Sequence, residues 1–393
     1  MKWIEKNHAA ALLLLALTAC TQDIPDMPAE GDLISFAIPE VVTPNDGKPV
    51  SRATLINSKL PLDSEFGVMG YCVPLKGGTN AQEPSSGSSD WESKKILSTP
   101  DVLNRASLRV DEYGCYYSND TPPGRWYTDQ SFSGVSAAGF KYTFIAYHPF
   151  EGRFAIDTPS SGGAPKFTYT VVYGSRDENG NKGNGTSNNR IDREPELTID
   201  AMYAQVKDHV RASGAVDLQF HHIMSGFSVQ LNNYNETDVT VKEVTLDGGF
   251  YKTETVDFST PDPTLTVGDA KYWGTFEFIR NGDAGVTIPG GSSLKAGATT
   301  EKPDGTIVLL LPNLSASEGN YLGTDKNITV KYENVNGDSK EVKVENFNLG
   351  RIPQPGLNYR LNINFKGDQL LLMFTADEVE YWEEGSDNKI IIN

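Results

Sequence analysis

The chain has 393 residues, 38% of them hydrophobic and 22% charged, which is ordinary globular composition with ample apolar material for one or two cores. Lys and Arg total 34 against 52 Asp and Glu, a formal charge of -18. A chain this acidic repels nucleic acid and gains nothing electrostatically from anionic lipid, so neither is expected as a partner. Abundant Gly, Tyr and Phe, with no long Leu/Ala/Glu/Lys runs beyond the N-terminus, favour strands and turns over helices.

The N-terminus reads as an export signal. Lys2 and Lys6 precede the apolar run Ala9–Ala19, which is too short to span a bilayer and ends in Leu17-Thr18-Ala19-Cys20. This ending matches the bacterial lipobox, so Cys20 is expected to become the acylated first residue of an outer-membrane lipoprotein precursor. Residues 1–19 are then the signal peptide. Residues 20–52 form a propeptide holding a tether and a first strand, Asp32–Val42, in which Ile34, Phe36 and Ile38 alternate with smaller residues and Leu33 leads in.

A loop with two prolines, Asn45-Asp46-Gly47 and the lone Arg52 follows, a site suited to a trypsin-like cut between Arg52 and Ala53. Next come a strand over Phe66–Tyr71, an open Gly/Ser loop over 77–89, and a short helix start at Thr99-Pro100-Asp101-Val102. Further strands are predicted at Phe140–Tyr147 and Phe167–Tyr173, and a helical turn over Ile199–His209. Arg176–Arg190 superficially resembles a calcium loop. Its sixth position is Lys182 rather than Gly and its twelfth is Asn188 rather than Glu, so a solvated loop is the better reading.

The second half alternates most clearly. Val216, Leu218 and Phe220; Phe227, Val229 and Leu231; and Val239, Val241 and Val244 are successive strand patterns. Ile328, Val330 and Tyr332 run into the hairpin signal Asn336-Gly337, with Val342 and Val344 beyond it. Leu357 to Phe365 alternates without a fault. The expectation is an all-β chain of antiparallel β-sandwiches, with an N-terminal domain over 53–212 and a C-terminal domain over 213–393.

No catalytic motif is present, and no cofactor or metal is expected. His221 and His222 are neighbours on a strand, so their rings point to opposite faces and cannot share one metal without distortion. Cys72 and Cys115 stand either as a disulfide or as two separate buried thiols. Trp91 and the pair Trp126-Tyr127 lie near loops, where aromatics could stack on sugars. A surface lipoprotein that binds glycans without polymerising is therefore an alternative.

The lipobox, the strand before Ser51-Arg52-Ala53-Thr54, then FGVMGY, DAMYAQ, VDLQFHHIMSGFSV and the closing VEYWEEGSDNKIIIN, in that order, resemble the Bacteroidales fimbrillin family, the subunits of type V pili. The resemblance implies two transthyretin-like, Greek-key β-sandwich domains in tandem and no enzymatic activity. It implies that an arginine-specific protease removes the segment through Arg52, first strand included, leaving Ala53 as the new N-terminus. A strand from another pilin subunit then fills the gap by donor-strand exchange. The C-terminal segment Val379–Ile392 is the candidate donor, with Val379, Tyr381, Ile390 and Ile392 as its apolar contacts. Four to five inward side chains would give on the order of 10 kcal/mol of gross burial, comparable with a domain's whole stability. A position in the pilus, tip or shaft, and a surface receptor are left open.

Overall fold

The computed structural model describes residues 33–42, 59–76, 100, 102–118, 121–126, 137–150, 152–157, 164–171, 175–176, 182–183, 198–260, 262–279, 284–300, 305–314, 325–347, 353–367, 369–377 and 389–392. They form an all-β protein of several sheets, in which most strand pairs are antiparallel.

In chain order the first half contains β1 (Glu40–Val42), β2 (Glu65–Lys76), β3 (Leu103–Val110), β4 (Cys115–Tyr117), β5 (Ala137–His148), β6 (Phe154–Asp157), β7 (Lys166–Thr170), the short pair β8 (Ser175–Arg176) and β9 (Lys182–Gly183), β10 (Met202–His209) and β11 (Gln219–His222). Seven of these make one sheet in the order β1-β11-β10-β5-β2-β3-β4. The central strands β2, β5 and β10 are buried on both faces, and the period of two sorts their side chains. Phe66, Val68, Cys72, Tyr142, Phe144, Met202 and Ala204 face one core, together with Val216, Leu218 and Phe220. The intervening Met69, Tyr71, Ile145, Tyr147 and Tyr203 face a second core.

The second half contains β12 (Ser225–Asn233), β13 (Val239–Tyr251), β14 (Thr253–Asp257), β15 (Thr264–Val267), β16 (Lys271–Ile279), β17 (Val286–Ile288), β18 (Ser293–Lys295), β19 (Ile307–Leu310), β20 (Asn327–Glu333), β21 (Ser339–Val344), β22 (Asn358–Lys366), β23 (Gln369–Asp377) and β24 (Lys389–Ile392). One sheet runs β18-β12-β22-β23-β24 with β19 also on β12, and another β16-β13-β20-β21 with β17 also on β13. Phe227, Val229 and Leu231 from the first and Val239, Val241 and Val244 from the second belong to one buried cluster. A four-stranded sheet, β15-β14-β7-β6, joins strands from both halves of the chain.

The structure departs from the sequence expectations at three places. Leu103–Val110 is a strand paired with β2 and β4, where a helix start was expected just before it. Ile199–His209 is no helical turn: Met202–His209 is β10, hydrogen-bonded to β5 and β11 on its two sides. Val216, Leu218 and Phe220 belong with the first sheet and its core, so a boundary near residue 212 would separate two paired strands. The chain passes to the next sheet between His222 and Ser225.

Candidate functional site

The segment Leu33–Val42 lies inside the sheet rather than along its rim. Phe36 forms an antiparallel bridge to Cys115 of β4 and a parallel bridge to Val216, just ahead of β11. Since β4 and β1-β11 are the two ends of the seven-stranded order, these bridges bring the ends together, and the sheet closes through this one segment. Its backbone bonds run to both sides. The Ile34 amide donates to the Gly124 carbonyl at 2.9 Å, and the Cys115 amide donates to the Phe36 carbonyl at 3.3 Å. On the opposite side Ala37 donates to Val216 at 2.9 Å, Val216 donates to Ser35 at 2.8 Å, and Glu40 donates to Leu218 at 3.1 Å. β1 continues this parallel pairing, Glu40 opposite Gln219 and Val42 opposite His221.

The side chains lock the segment inward. Ile34, Phe36 and Val41 are buried at 1%, 3% and 7% exposure, and Ile38 packs partly buried against the same core. Leu33 is half-buried and bridges to Arg125. The Phe36 ring meets Phe144 edge-on at 5.5 Å and Tyr117 at 6.4 Å. Full burial of three such side chains is worth roughly 5–9 kcal/mol, a large share of the roughly 5–15 kcal/mol that holds a domain together.

The wall contributed by β4 is polar where it meets the segment. The Tyr117 hydroxyl donates to the Ile34 carbonyl at 2.9 Å, and the Cys115 Sγ donates to the Ala37 carbonyl at 3.3 Å. Burial, with the nearby Asp111 charge, pushes the Cys115 thiol up to about 12. Burial likewise pushes the Tyr117 phenol upward, against a smaller opposing effect of the Gly124 backbone. Both groups are half-buried, neutral hydrogen-bond donors to the segment.

Cys72 and Cys115 are free thiols, not a disulfide. They sit on β2 and β4 with β3 between them. Strands two apart are separated by roughly 9–10 Å, beyond the Cα reach of a disulfide.

Cys20, Arg52, Ala53, Val379 and Tyr381, as well as Trp91 and Tyr127, lie outside the described residues. Ile390 and Ile392 fall in β24, which pairs antiparallel with β23 of the same chain, Leu372 opposite Ile390 and Leu370 opposite Ile392. Trp126, considered above as a sugar-stacking residue, is a core residue: it is buried, packs edge-on against Tyr142 at 4.8 Å and stacks on His209 at 5.7 Å. His221 is exposed and His222 buried, with His222 Nδ1 3.1 Å from the Asp200 carboxylate. Among the described residues no cluster of His, Cys, Asp and Glu is arranged to hold a metal ion.

Sequence reasoning found the segment itself but missed its walls. Cys115, Tyr117 and Gly124 carry no periodic signal. Val216 and Leu218 do alternate, and that alternation was the available clue, although it does not say which sheet they join.

The sequence profile of the fimbrillin-like family matches residues 136–382, well over half of the chain, and the chain belongs to that family. No curated protein matches it. Among solved structures, a fimbrial protein from Bacteroides vulgatus is 14% identical, with a TM-score of 0.53, over 88% of this chain and 99% of that one. A cell adhesion protein described as putative from Bacteroides uniformis gives 12% identity and a TM-score of 0.41, over 88% and 99%. The fimbrial anchor protein Mfa2 from Porphyromonas gingivalis gives 11% identity and a TM-score of 0.31, over 82% and 91%. The first of these likenesses is one of fold.

Proposed function

We propose that this chain is a structural subunit of a type V pilus, made as an outer-membrane lipoprotein precursor anchored through Cys20. An arginine-specific protease cuts between Arg52 and Ala53, and the segment carrying Leu33, Ile34, Phe36 and Ile38 leaves the sheet. A strand from another pilin subunit takes its place. In this reading the protein comprises two transthyretin-like sandwich units and works in surface adhesion without catalysis.

The observation that carries the proposal is the two-sided pairing of Phe36 with Cys115 and Val216. An edge strand could depart and leave one new edge. A segment bonded on both sides leaves a slot, with unpaired donors and acceptors along both walls and an apolar floor. An incoming extended segment restores ladder bonds and buried contacts together, which is the strand-addition mode of recognition. While the chain's own segment fills the slot, no other strand can enter, and the precursor stays monomeric.

The described end of the candidate donor, Lys389–Ile392, would have to leave its own sheet to serve. β24 is a four-residue edge strand on β23, so little pairing opposes its release.

The test is incubation of the purified precursor with an arginine-specific protease. Release of a fragment ending at Arg52, followed by filaments, is expected; an Arg52→Ala chain should stay intact and monomeric. An Arg52→Ala chain that polymerises as well as the parent would overturn the proposal.

A further inference from the structure

A second constellation lies on the sheet β16-β13-β20-β21, which does not include the slot. Trp273 of β16 stands opposite Gly249 of β13 and is 54% exposed. A Cβ on Gly249 would lie 2.8 Å from Asp325 Oδ2, 3.0 Å from Lys271 Cδ and 3.2 Å from Trp273 Cε2. Three side chains therefore converge over a residue that has none. The indole reaches across the bare backbone, the cross-strand aromatic–glycine arrangement, and much of its surface is left to water.

The polar groups beside the ring are fixed from below. Lys326 is fully buried, donates to the Gly249 carbonyl, and lies 4.8 Å from the centre of the Phe250 ring. Its Nζ is 2.8 Å from Asp325 Oδ1, and Lys271 Nζ is 3.1 Å from Asp325 Oδ2. Burial pushes the Asp325 carboxyl up, but the hydrogen bonds and charges of Lys326 and Lys271 outweigh it and hold the group below the usual carboxylate range. On the neighbouring strands Asn327 Nδ2 donates to Asp247 Oδ2 at 2.9 Å.

We propose that this surface binds a neutral glycan, with Trp273 stacked on the apolar face of a pyranose ring and Asp325 and Lys271 hydrogen-bonding its hydroxyls. An exposed aromatic face beside a rigid acceptor–donor pair matches a ring that is apolar on its faces and polar at its rim. A buried lysine holding the carboxylate pre-organises the acceptor, which lowers the ordering cost of binding. The formal charge of -18 opposes sialylated and sulfated sugars and favours uncharged ones. The proposal does not depend on strand exchange, because the uncut precursor already carries the complete site.

The experiment is saturation-transfer NMR on the full precursor at millimolar ligand. The probes are cellohexaose, mannohexaose, triacetylchitotriose and lacto-N-tetraose, with 3'-sialyllactose as the acidic arm. At least one neutral probe should bind. Trp273→Ala should weaken it about tenfold or more, while Trp273→Tyr keeps most of the affinity and Tyr113→Ala, at an aromatic 91% exposed outside this sheet, leaves binding unchanged. Thermal melts should match the parent, since Trp273 is largely exposed. Failure of all four neutral probes, equal binding by Trp273→Ala, or tighter binding of sialyllactose would each overturn the proposal.

Discussion

The Tyr117 hydroxyl donates to the Ile34 carbonyl at 2.9 Å, so a side chain of one wall of the slot holds the backbone of the segment that fills it. Tyr117→Phe keeps the ring and its contact with Phe36 and deletes only this bond. The variant precursor should lose about 1 kcal/mol, read as a lower urea midpoint with an unchanged slope.

Phe36 is the segment's largest buried side chain, set among Phe144, Tyr117 and the rest of the first core. Phe36→Ala should cost about 3–5 kcal/mol. Differential scanning calorimetry of the precursor measures the loss, and size-exclusion chromatography should detect oligomers forming without protease.

The Cys115 thiol faces the Ala37 carbonyl and is pushed up to about 12 by burial and Asp111. In the intact precursor it is a neutral thiol and should resist maleimide at neutral pH, since only the thiolate reacts. Once the segment departs, burial is relieved and labelling should accelerate sharply. Cys72, buried in β2, should stay protected in both states, and peptide mapping distinguishes the two.

Glu254 lies in β14 at 1% exposure, and among the described residues neither carboxylate oxygen has a hydrogen-bond partner. Burial raises its carboxyl to about 8. An acid raised on folding contributes stability that is complete below its unfolded pKa, near 4.5, and that is lost as pH rises toward the folded value. Between these limits the unfolded chain releases the proton and the folded chain retains it. Glu254→Gln should therefore match the parent near pH 4 and exceed it increasingly up to about pH 8, by about 1.4 kcal/mol per pH unit at most. Urea denaturation across that range measures the divergence.

Local pattern carried much of this fold. The alternation from Leu357 to Phe365 became β22, and Asn336-Gly337 became the turn between β20 and β21, with Gly337 at φ 81°. Pattern failed where neighbours decide the backbone. In β3, Asn104 and Arg105 are both exposed and Arg105 has φ 53°, which breaks the period of two. In β10, a run containing Ala, Met, Gln and Lys suits a helix locally, yet pairing on both sides makes it a strand, a case of tertiary context overriding propensity. The filling segment was legible from Ile34 and Phe36 because its signal is local. Its walls were not, since Cys115 and Val216 lie far from Phe36 in sequence and no periodicity encodes which strands meet.

The most direct test is hydrogen exchange at the amides of Cys115 and Val216, which donate to the carbonyls of Phe36 and Ser35. Both should be protected in the precursor, exchange rapidly once residues up to Arg52 have been removed, and regain protection in assembled filaments. Protection that persists after removal, or filaments in which these amides stay open, would contradict a vacancy refilled by another subunit.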